Sequence, residues 1–560
     1  MAAAAAEAAK ADEFAPFPVK EQLPGIDYCL TSPPPWPEAV LLGFQNYLVM
    51  LGTTVLIPTI LVQQMGGGHE EKARVIQTIL FVAGINTLLQ SWLGTRLPVV
   101  IGGSFTYILP TVSIILSERF ADIVDPYERF VHSMRAIQGA LIAASSFQII
   151  AGFCGVWRIS IRFLSPLAAV PIVTFAGLGL FNFGFPIVAK CVEIGLPALL
   201  LFVVLSQYVP HAISQRRIIF DRFSVIFTVL IIWLSAHILT VSGAYKHSSP
   251  TTQFSCRTDR AGLIGASPWI RIPYPFQWGA PTFNVGDVFA MIAASFASCV
   301  EAGSTGAMVA ASRFSSSTFV PPSVFSRGVG WQVYCWVGCL ELLMALQHLC
   351  TYISYLENMM LNKLYLKVCG TYFCSLNSEN VGLLALTRVG SRRVVELSAI
   401  FMIFFSTLGK FGSLIASIPL PIAAALNCVL FGYVAAAGLG FLQFCNLNSL
   451  RTMFVLGFSL FLGLSIPQYF MEFHALSGYG PVHTRARAFN DIIDVIFSSP
   501  ATVAAMVAYF LDSTLLRTNA ETRKDRGWQW WEKFRSFKTD TRSEEFYSLP
   551  FNLNKFFPSL

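Results

Sequence analysis

The chain has 560 residues, 54% of them hydrophobic, 14% aromatic and only 12% charged, with mean hydropathy +0.59 and formal net charge +7. An ordinary soluble domain carries about twice that charged fraction. Too few polar side chains remain to cover several globular domains. These figures exclude a soluble multidomain enzyme, a disordered protein and a nucleic-acid binder, and leave an integral membrane protein with many spans.

The opening stretch MAAAAAEAAKADEF is Ala-rich but broken by Glu7, Lys10, Asp12 and Glu13. It lacks the apolar run of a secretory signal, so residues 1–37 read as a solvated cytoplasmic tail. A bilayer core needs about 20 apolar residues per helix. Stretches of that kind run at 38–63, 76–95, 98–118, 136–157, 162–184, 187–209 and 223–243. After a polar segment at 244–284 they resume at 285–311, 328–352, 379–390, 393–415, 418–440, 452–470 and 492–512. Fourteen segments result, inside a transmembrane domain at 38–515 that a cytoplasmic tail at 516–560 follows. The runs are too long, and alternate too little, for membrane strands.

Lys and Arg collect in cytoplasmic loops. Arg216, Arg217 and Arg222 lie between the sixth and seventh segments, Arg392 and Arg393 follow the tenth, and Arg451 follows the twelfth. Beyond 516 come Arg517, Arg523, Lys524, Arg526, Lys533, Arg535 and Lys538. An even number of spans with both termini inside puts all of them in the cytoplasm and the loop at 244–284 outside.

Two segments make poor simple helices. The third, LPVVIGGSFTYILP, contains Pro98, Gly102, Gly103 and Pro110, and the tenth, ENVGLLALTRVGS, opens with polar residues and carries Thr387 and Arg388. They occupy corresponding places in two runs of seven. Paired interruptions of this kind point to a transporter site at the interface of inverted repeats. Irregular backbone at that depth survives only where protein buries it or a cavity adjoins it. Because Gly and Pro are common in membrane helices, two ordinary kinked helices are the other reading.

A charge at mid-bilayer costs at least ~2.5–3.5 kcal/mol on insertion scales. Glu301 nevertheless sits in MIAASFASCVEAGSTGAMVAAS, Glu379 and Asn380 open the tenth segment, and Gln45 and Asn46 interrupt the first, LLGFQNYLVMLGTTVLIP. Desolvation favours the neutral form of a carboxyl group. Two such groups facing one cavity could bind a proton and accept N–H donors from a planar polar solute. A structural hydrogen bond is the bland alternative for each.

Glu379-Asn380-Val381-Gly382, followed by Thr387-Arg388, resembles the signature of the nucleobase–ascorbate transporter family. That signature is an acidic or amide residue (Pro in the ascorbate carriers), then N-x-G-x-x-x-x-T-R. GFQNYLVMLGTTVLIP is similar to the family's first-helix motif, PPSVFSRGVGWQ to its link from the eighth to the ninth span, and FCNLNSLRTMFVLGFSLFLGLSIPQYF to its late helices. The C-terminal KFRSFKTDTRSEEFYSLPFNLNKFFPS resembles the plant branch, and the likeness covers nearly all of 30–560.

The resemblance implies an all-α polytopic permease of fourteen spans in two inverted repeats of seven. Core and gate domains, breaks in spans 3 and 10, and a homodimer in lipid belong to the same pattern. It implies that Glu301 holds the substrate and couples protons, that Glu379 hydrogen-bonds the base, and that Asn380 organises the site. Phe105 would stack on the base, with Ser104 offering backbone contacts and Gln45 contributing from the first helix. Asn46, Gly382, Thr387 and Arg388 would tune selectivity and the translocation path. Glu rather than Pro at 379 favours nucleobases, because a carboxyl group accepts an imide N–H and Pro offers no side-chain partner.

The implied activity is proton-coupled transport of nucleobases of the xanthine and uric acid type, with uracil a further candidate, at the plasma membrane. The alternatives are an ascorbate or organic-anion carrier and a non-transporting paralogue or scaffold. No cofactor beyond the coupling proton, no metal and no nucleic-acid partner is expected. An enzyme is disfavoured, since H-E-x-x-H and a phosphate loop are missing and GVGWQ is too short for a dinucleotide site.

Three features depart from the pattern. The family's first-helix Gln-His pair is Gln45-Asn46 here, which puts the role of that histidine in doubt. An extra pair of small residues follows Glu301, enough to shift local register by part of a turn. The third departure is the segment 333–374, which holds five of the twelve cysteines: Cys335, Cys339, Cys350, Cys369 and Cys374. With His348 they fit no zinc spacing, and the distribution argues against reading the cysteine count as disulfides. Reading the codons from Val333 two bases later forces Leu at Tyr334/Cys335 and at Cys335/Trp336. It also forces Gly at Trp336/Val337 and Met344/Ala345. The result, V-L-L-G-G-L-F-G-T-A-N-G, is similar to the family's ninth span. Residues 333 to about 349 therefore read as that exon out of frame, with read-through of non-coding sequence to about 376 before Glu379. The tail stretch GWQWWEKFRSFK reads either as an amphipathic element on the cytoplasmic leaflet or as a tail packed on its own domain.

Overall fold

Prolines and short polar caps set many of the helix starts. The computed structural model describes residues 23–162, 164–212, 217–259, 263–274, 276–300, 306–334, 374–515 and 545–555. The first stretch is α1 (Trp36–Met65), with Pro37 in its opening turn, where no intrahelical N–H is needed. Gly66 ends it in the left-handed region at φ 91° before α2 (His69–Trp92). The third stretch is β1 (Ile101–Gly103), a 3-10 turn at Phe105–Tyr107 and the short α3 (Ile108–Ile115). Asp125 caps α4 (Pro126–Phe153) by accepting the Tyr127 N–H at 3.1 Å, and Ser165 caps α5 (Pro166–Leu178) through the Ala168 N–H at 3.1 Å.

The sixth and seventh stretches are α6 (Val192–Val203), which runs into a π-helical turn, and α7 (Arg217–Val241). The eighth is α8 (Val285–Ser298) and α9 (Gly306–Phe314), and the ninth begins as α10 (Pro322–Tyr334). The tenth is β2 (Cys374–Leu376) with α11 (Ser378–Thr387). The eleventh bends by 110° between α12 (Arg392–Thr407) and α13 (Gly409–Ala416). Then come α14 (Leu420–Gly440) and α15 (Leu450–Ser477). The last is α16 (Arg487–Phe497) with α17 (Pro500–Thr514), bent by 82°.

Helix therefore falls on each of the fourteen apolar stretches, and the chain is an all-α polytopic membrane protein. Among the described residues, seven runs are long and apolar enough to cross a bilayer unaided, or nine if each bent pair is one span. One of the seven, Pro166–Ala212, contains both the fifth and the sixth stretch. The shortfall from fourteen reflects interruption, since broken spans leave pieces too short to qualify alone. β1 and β2, three residues each, pair as a small two-stranded antiparallel sheet.

Packing divides the helices into two bundles. In one, α4 lies on α8 and α10, and α12 lies on α1 and α2; in the other, α14 lies on α5 and α6, α17 on α5 and α15, and α7 on α6. Spans 1–4 and 8–11 thus form a core bundle, and spans 5–7 and 12–14 a gate bundle. Each half of the sequence supplies four spans to one and three to the other, the partition that an inverted repeat requires.

Among the described residues, Arg222, Arg327, Arg392 and Arg393 gather at one end. Arg222 pairs with Asp27 at 3.1 Å and with Glu38, and Arg393 lies over the Trp36 ring at 4.9 Å. Residues 23–35, the last part of the expected N-terminal tail, pack there, with Leu30 fully buried. So does the C-terminal segment 545–555. Tyr547 is completely buried, its hydroxyl donating to the Thr318 carbonyl at 2.6 Å. Arg392 donates to the Phe546 carbonyl at 3.2 Å, Arg327 to that of Tyr547 at 2.9 Å, and Arg96 to that of Ser548. The GWQWWEKFRSFK stretch, and 335–373 of the anomalous segment, lie outside the described residues.

The opposite end carries a disulfide, Cys191–Cys256, joining the start of α6 to the loop after α7. This corrects the expectation drawn from the cysteine distribution. The partners are 65 residues apart in sequence, so no local spacing signals them. Glu193 lies beside the pair, but both sulfurs are already consumed by the bond.

Candidate substrate site

The two broken spans meet at the small sheet, where Ile101 faces Leu376, Gly102 faces Ser375 and Gly103 faces Cys374. Extended backbone in a membrane must find partners for its polar groups. Here the Ile101 N–H donates to the Thr87 hydroxyl at 3.0 Å and the Asn377 N–H to the Val100 carbonyl at 3.0 Å. Gly102 is required for close approach, because a Cβ there would lie 2.6 Å from the Asn377 amide. A half-helix begins just beyond each strand, at Phe105 and at Ser378. Such N-termini carry unpaired N–H groups and the positive end of the helix dipole.

Helix α1 runs alongside both. Its Thr53 hydroxyl lies against the Glu379 carboxyl group, and Ile57 would touch a Cβ on Gly103 at 2.9 Å. Thr53 and Ile57 are one turn apart, a rise of about 6 Å, so Glu379 and the Ser104–Phe105 corner are reached from adjacent turns of one helix. Asn380 donates to the Asn46 carbonyl at 2.8 Å and to its side-chain oxygen at 3.2 Å, and Asn46 donates back to Leu42 at 3.0 Å.

Several acceptors are left over. Glu379 is 2% exposed, yet its Oε1 has no hydrogen-bond partner, and neither has Asn380 Oδ1 or Gln45 Oε1. A buried unpaired polar atom costs roughly 1–3 kcal/mol, and its persistence calls for a reason. A solute bearing N–H groups would relieve that cost.

A family model described as the permease family (Xan_ur_permease) matches residues 37–330 and 369–472. The chain is 62% identical over 560 residues to Nucleobase-ascorbate transporter 6 of Arabidopsis thaliana, covering 100% of both chains. It is 60% identical over 555 residues to Nucleobase-ascorbate transporter 7 of the same plant, covering 98% and 97%. It is 59% identical over 552 residues to a nucleobase-ascorbate transporter of Zea mays, covering 98% and 99%. The chain belongs to the nucleobase–ascorbate transporter family. It is a transporter and not an enzyme.

Within this nucleobase–ascorbate transporter the other signature residues separate by position. Gly382 serves packing: a Cβ there would sit 2.2 Å from the Leu430 carbonyl, so its absence lets α11 close against α14. Thr387 turns its hydroxyl back to the Leu383 carbonyl at 2.8 Å. Arg388, at φ 57°, ends α11, and its carbonyl accepts from the Asp27 N–H at 3.0 Å. Both lie at the far end of α11, roughly 12 Å from Glu379 by helical rise. Gln45 points its amide at the Arg222 carbonyl, 2.9 Å away, on the side of the basic cluster. Ser104 pairs its hydroxyl with Thr106 at 3.0 Å, and Phe105 lies flat on Phe183.

Glu301 lies outside the described residues, between α8 and α9. The Tyr107 hydroxyl reaches Ser295 on α8 at 3.1 Å, which ties the third span to the helix leading to Glu301. Sequence reasoning missed Thr53, Asn377 and Phe183. Thr53 had a visible signal, the polar pair in LGTT within an apolar helix. Phe183 had none.

Proposed function

We propose that this transporter is a proton-coupled symporter of oxopurine nucleobases of the xanthine and uric acid type, with uracil a smaller candidate. The observation that carries the reading is the buried Glu379 carboxyl group, with one oxygen unpartnered, at the mouth of a broken span. A ring N–H would satisfy that oxygen. Glu301 holds the proton in this reading, and rocking of the core bundle against the gate bundle gives alternating access. The relatives' names join nucleobases with ascorbate. Glu379 favours the nucleobase, because a carboxyl oxygen accepts an imide N–H and ascorbate has no N–H to offer.

The test is uptake of labelled xanthine in a transport-deficient cell. Glu301→Gln should abolish accumulation, and full accumulation would contradict the assigned role. Ascorbate competing with xanthine at comparable concentration would favour the organic-anion reading. We further assign both termini to the cytoplasm, the chain to the plasma membrane, and the working unit to a homodimer. The out-of-frame reading of 333–374 draws support from the family match, which stops at 330 and resumes at 369. A spliced transcript encoding that segment as written would sink it. If the segment is translated and the ninth span is lost, surface expression and dimerisation without uptake are the expected outcome.

A further inference from the structure

The third-span half-helix belongs to the core bundle, yet the ring at its first residue rests on a ring from the gate bundle. Phe105 and Phe183 stack with centroids 3.6 Å apart and planes 16° from parallel. Each ring is anchored to its own side. Phe105 follows β1 by two residues, and Tyr107, two residues on, holds Ser295 of α8 at 3.1 Å. Phe183 closes a 3-10 turn, Phe181–Phe183, that packs on α14, and the neighbouring Asn182 amide contacts the Met471 sulfur of α15 at 3.5 Å. Both rings are half-buried, so the pair sits at a border between bundles and not inside either core.

Two parallel rings at this separation leave no room between them. A planar heteroaromatic solute would enter only by parting them to about twice the spacing, after which each ring keeps a stacked face. We propose that Phe183 is the gate-side half of an aromatic clamp: the substrate ring replaces the direct contact, covered on one face by Phe105 and on the other by Phe183. The inference rests on the nucleobase reading and deepens it. The clamp makes recognition depend on two flat faces as well as on N–H groups, and it makes substrate entry a separation of core from gate. The same half-helix is held further along by α16, which lies mainly on α8 of the core bundle. Ser113 donates to Asp491 at 2.8 Å and accepts from Arg487 at 3.1 Å, both on α16.

The experiment compares wild type, Phe183→Leu and Phe183→Tyr as full chains at matched surface amounts. Loss of one base–aromatic stack should raise the KM for xanthine on the order of tenfold in Phe183→Leu, with Phe183→Tyr close to wild type. An unchanged KM in Phe183→Leu overturns the clamp. A second arm uses the double variant Thr106→Cys, Asn182→Cys, which keeps both rings and puts a thiol beside each, in membranes with a short thiol cross-linker, the single variants serving as controls. Saturating xanthine should cut the cross-linked fraction several-fold, and an unaltered fraction overturns the proposal. A wild-type chain that takes up ascorbate but no nucleobase defeats the nucleobase reading itself. Nucleobase uptake with an indifferent Phe183→Leu defeats the clamp alone.

Discussion

Asn46 and Asn380 stand 334 residues apart, and Asn380 binds the first span to the tenth beside Glu379 by donating to the Asn46 backbone carbonyl at 2.8 Å and to its side-chain oxygen at 3.2 Å. Removing the Asn380 amide should cost about 1 kcal/mol, whereas Asn46→Ala removes only the 3.2 Å contact and leaves the 2.8 Å bond to the main chain in place. We expect Asn380→Ala to lower the thermal stability of the solubilised protein more than Asn46→Ala does, and the double variant to fall no further than Asn380→Ala. Additive losses in that cycle would mean that the two side chains act separately. The residues of the site were legible singly, because polar groups in a membrane need a reason. Their pairing was not. An asparagine replacing the family's histidine looked like a lost group, and only the fold shows that Asn46 has a partner in Asn380.

Among the elements, α11 depends on Gly382 more than on any polar contact. Valine there would drive a branched side chain into the Leu430 carbonyl, which would already be 2.2 Å from a bare Cβ. Gly382→Val should therefore separate α11 from α14 and abolish uptake, with Gly382→Ala intermediate; normal uptake by the valine variant at normal surface levels would refute the packing role. The breaks in the third and tenth spans could be read from Gly, Pro and polar residues. The strands between them could not, because three-residue pieces carry no alternation and owe their extended form to each other. The two bent spans divide the same way. The 82° turn has Pro500 just beyond it as a visible cause. The 110° turn falls at Leu408–Gly409, where Gly409 abuts the Pro268 carbonyl, a contact set by a loop far away in sequence.

At the scale of the whole molecule, two opposite ends carry different chemistry: arginine clusters with both described terminal segments at one, a disulfide at the other. Disulfides persist in oxidising compartments, so with the termini inside, Cys191 and Cys256 face out. On intact cells, a membrane-impermeant maleimide should label both only after external reduction. Labelling that requires permeabilised cells would invert the assigned topology. The class of the protein was legible because it depends on composition. The disulfide and the terminal contacts depend on distant pairs, which a single sequence does not display. One of those contacts bears on how the protein is made. Residues 545–555 leave the ribosome after every membrane span has been synthesised, yet Arg96, Arg327 and Arg392 of the core bundle find carbonyl partners in them. Until that moment this face of the bundle holds three cations short of those partners and a vacant slot for Tyr547. A chain cut before residue 545 would therefore expose that slot and those arginines together, a defect local to one face although every span is present.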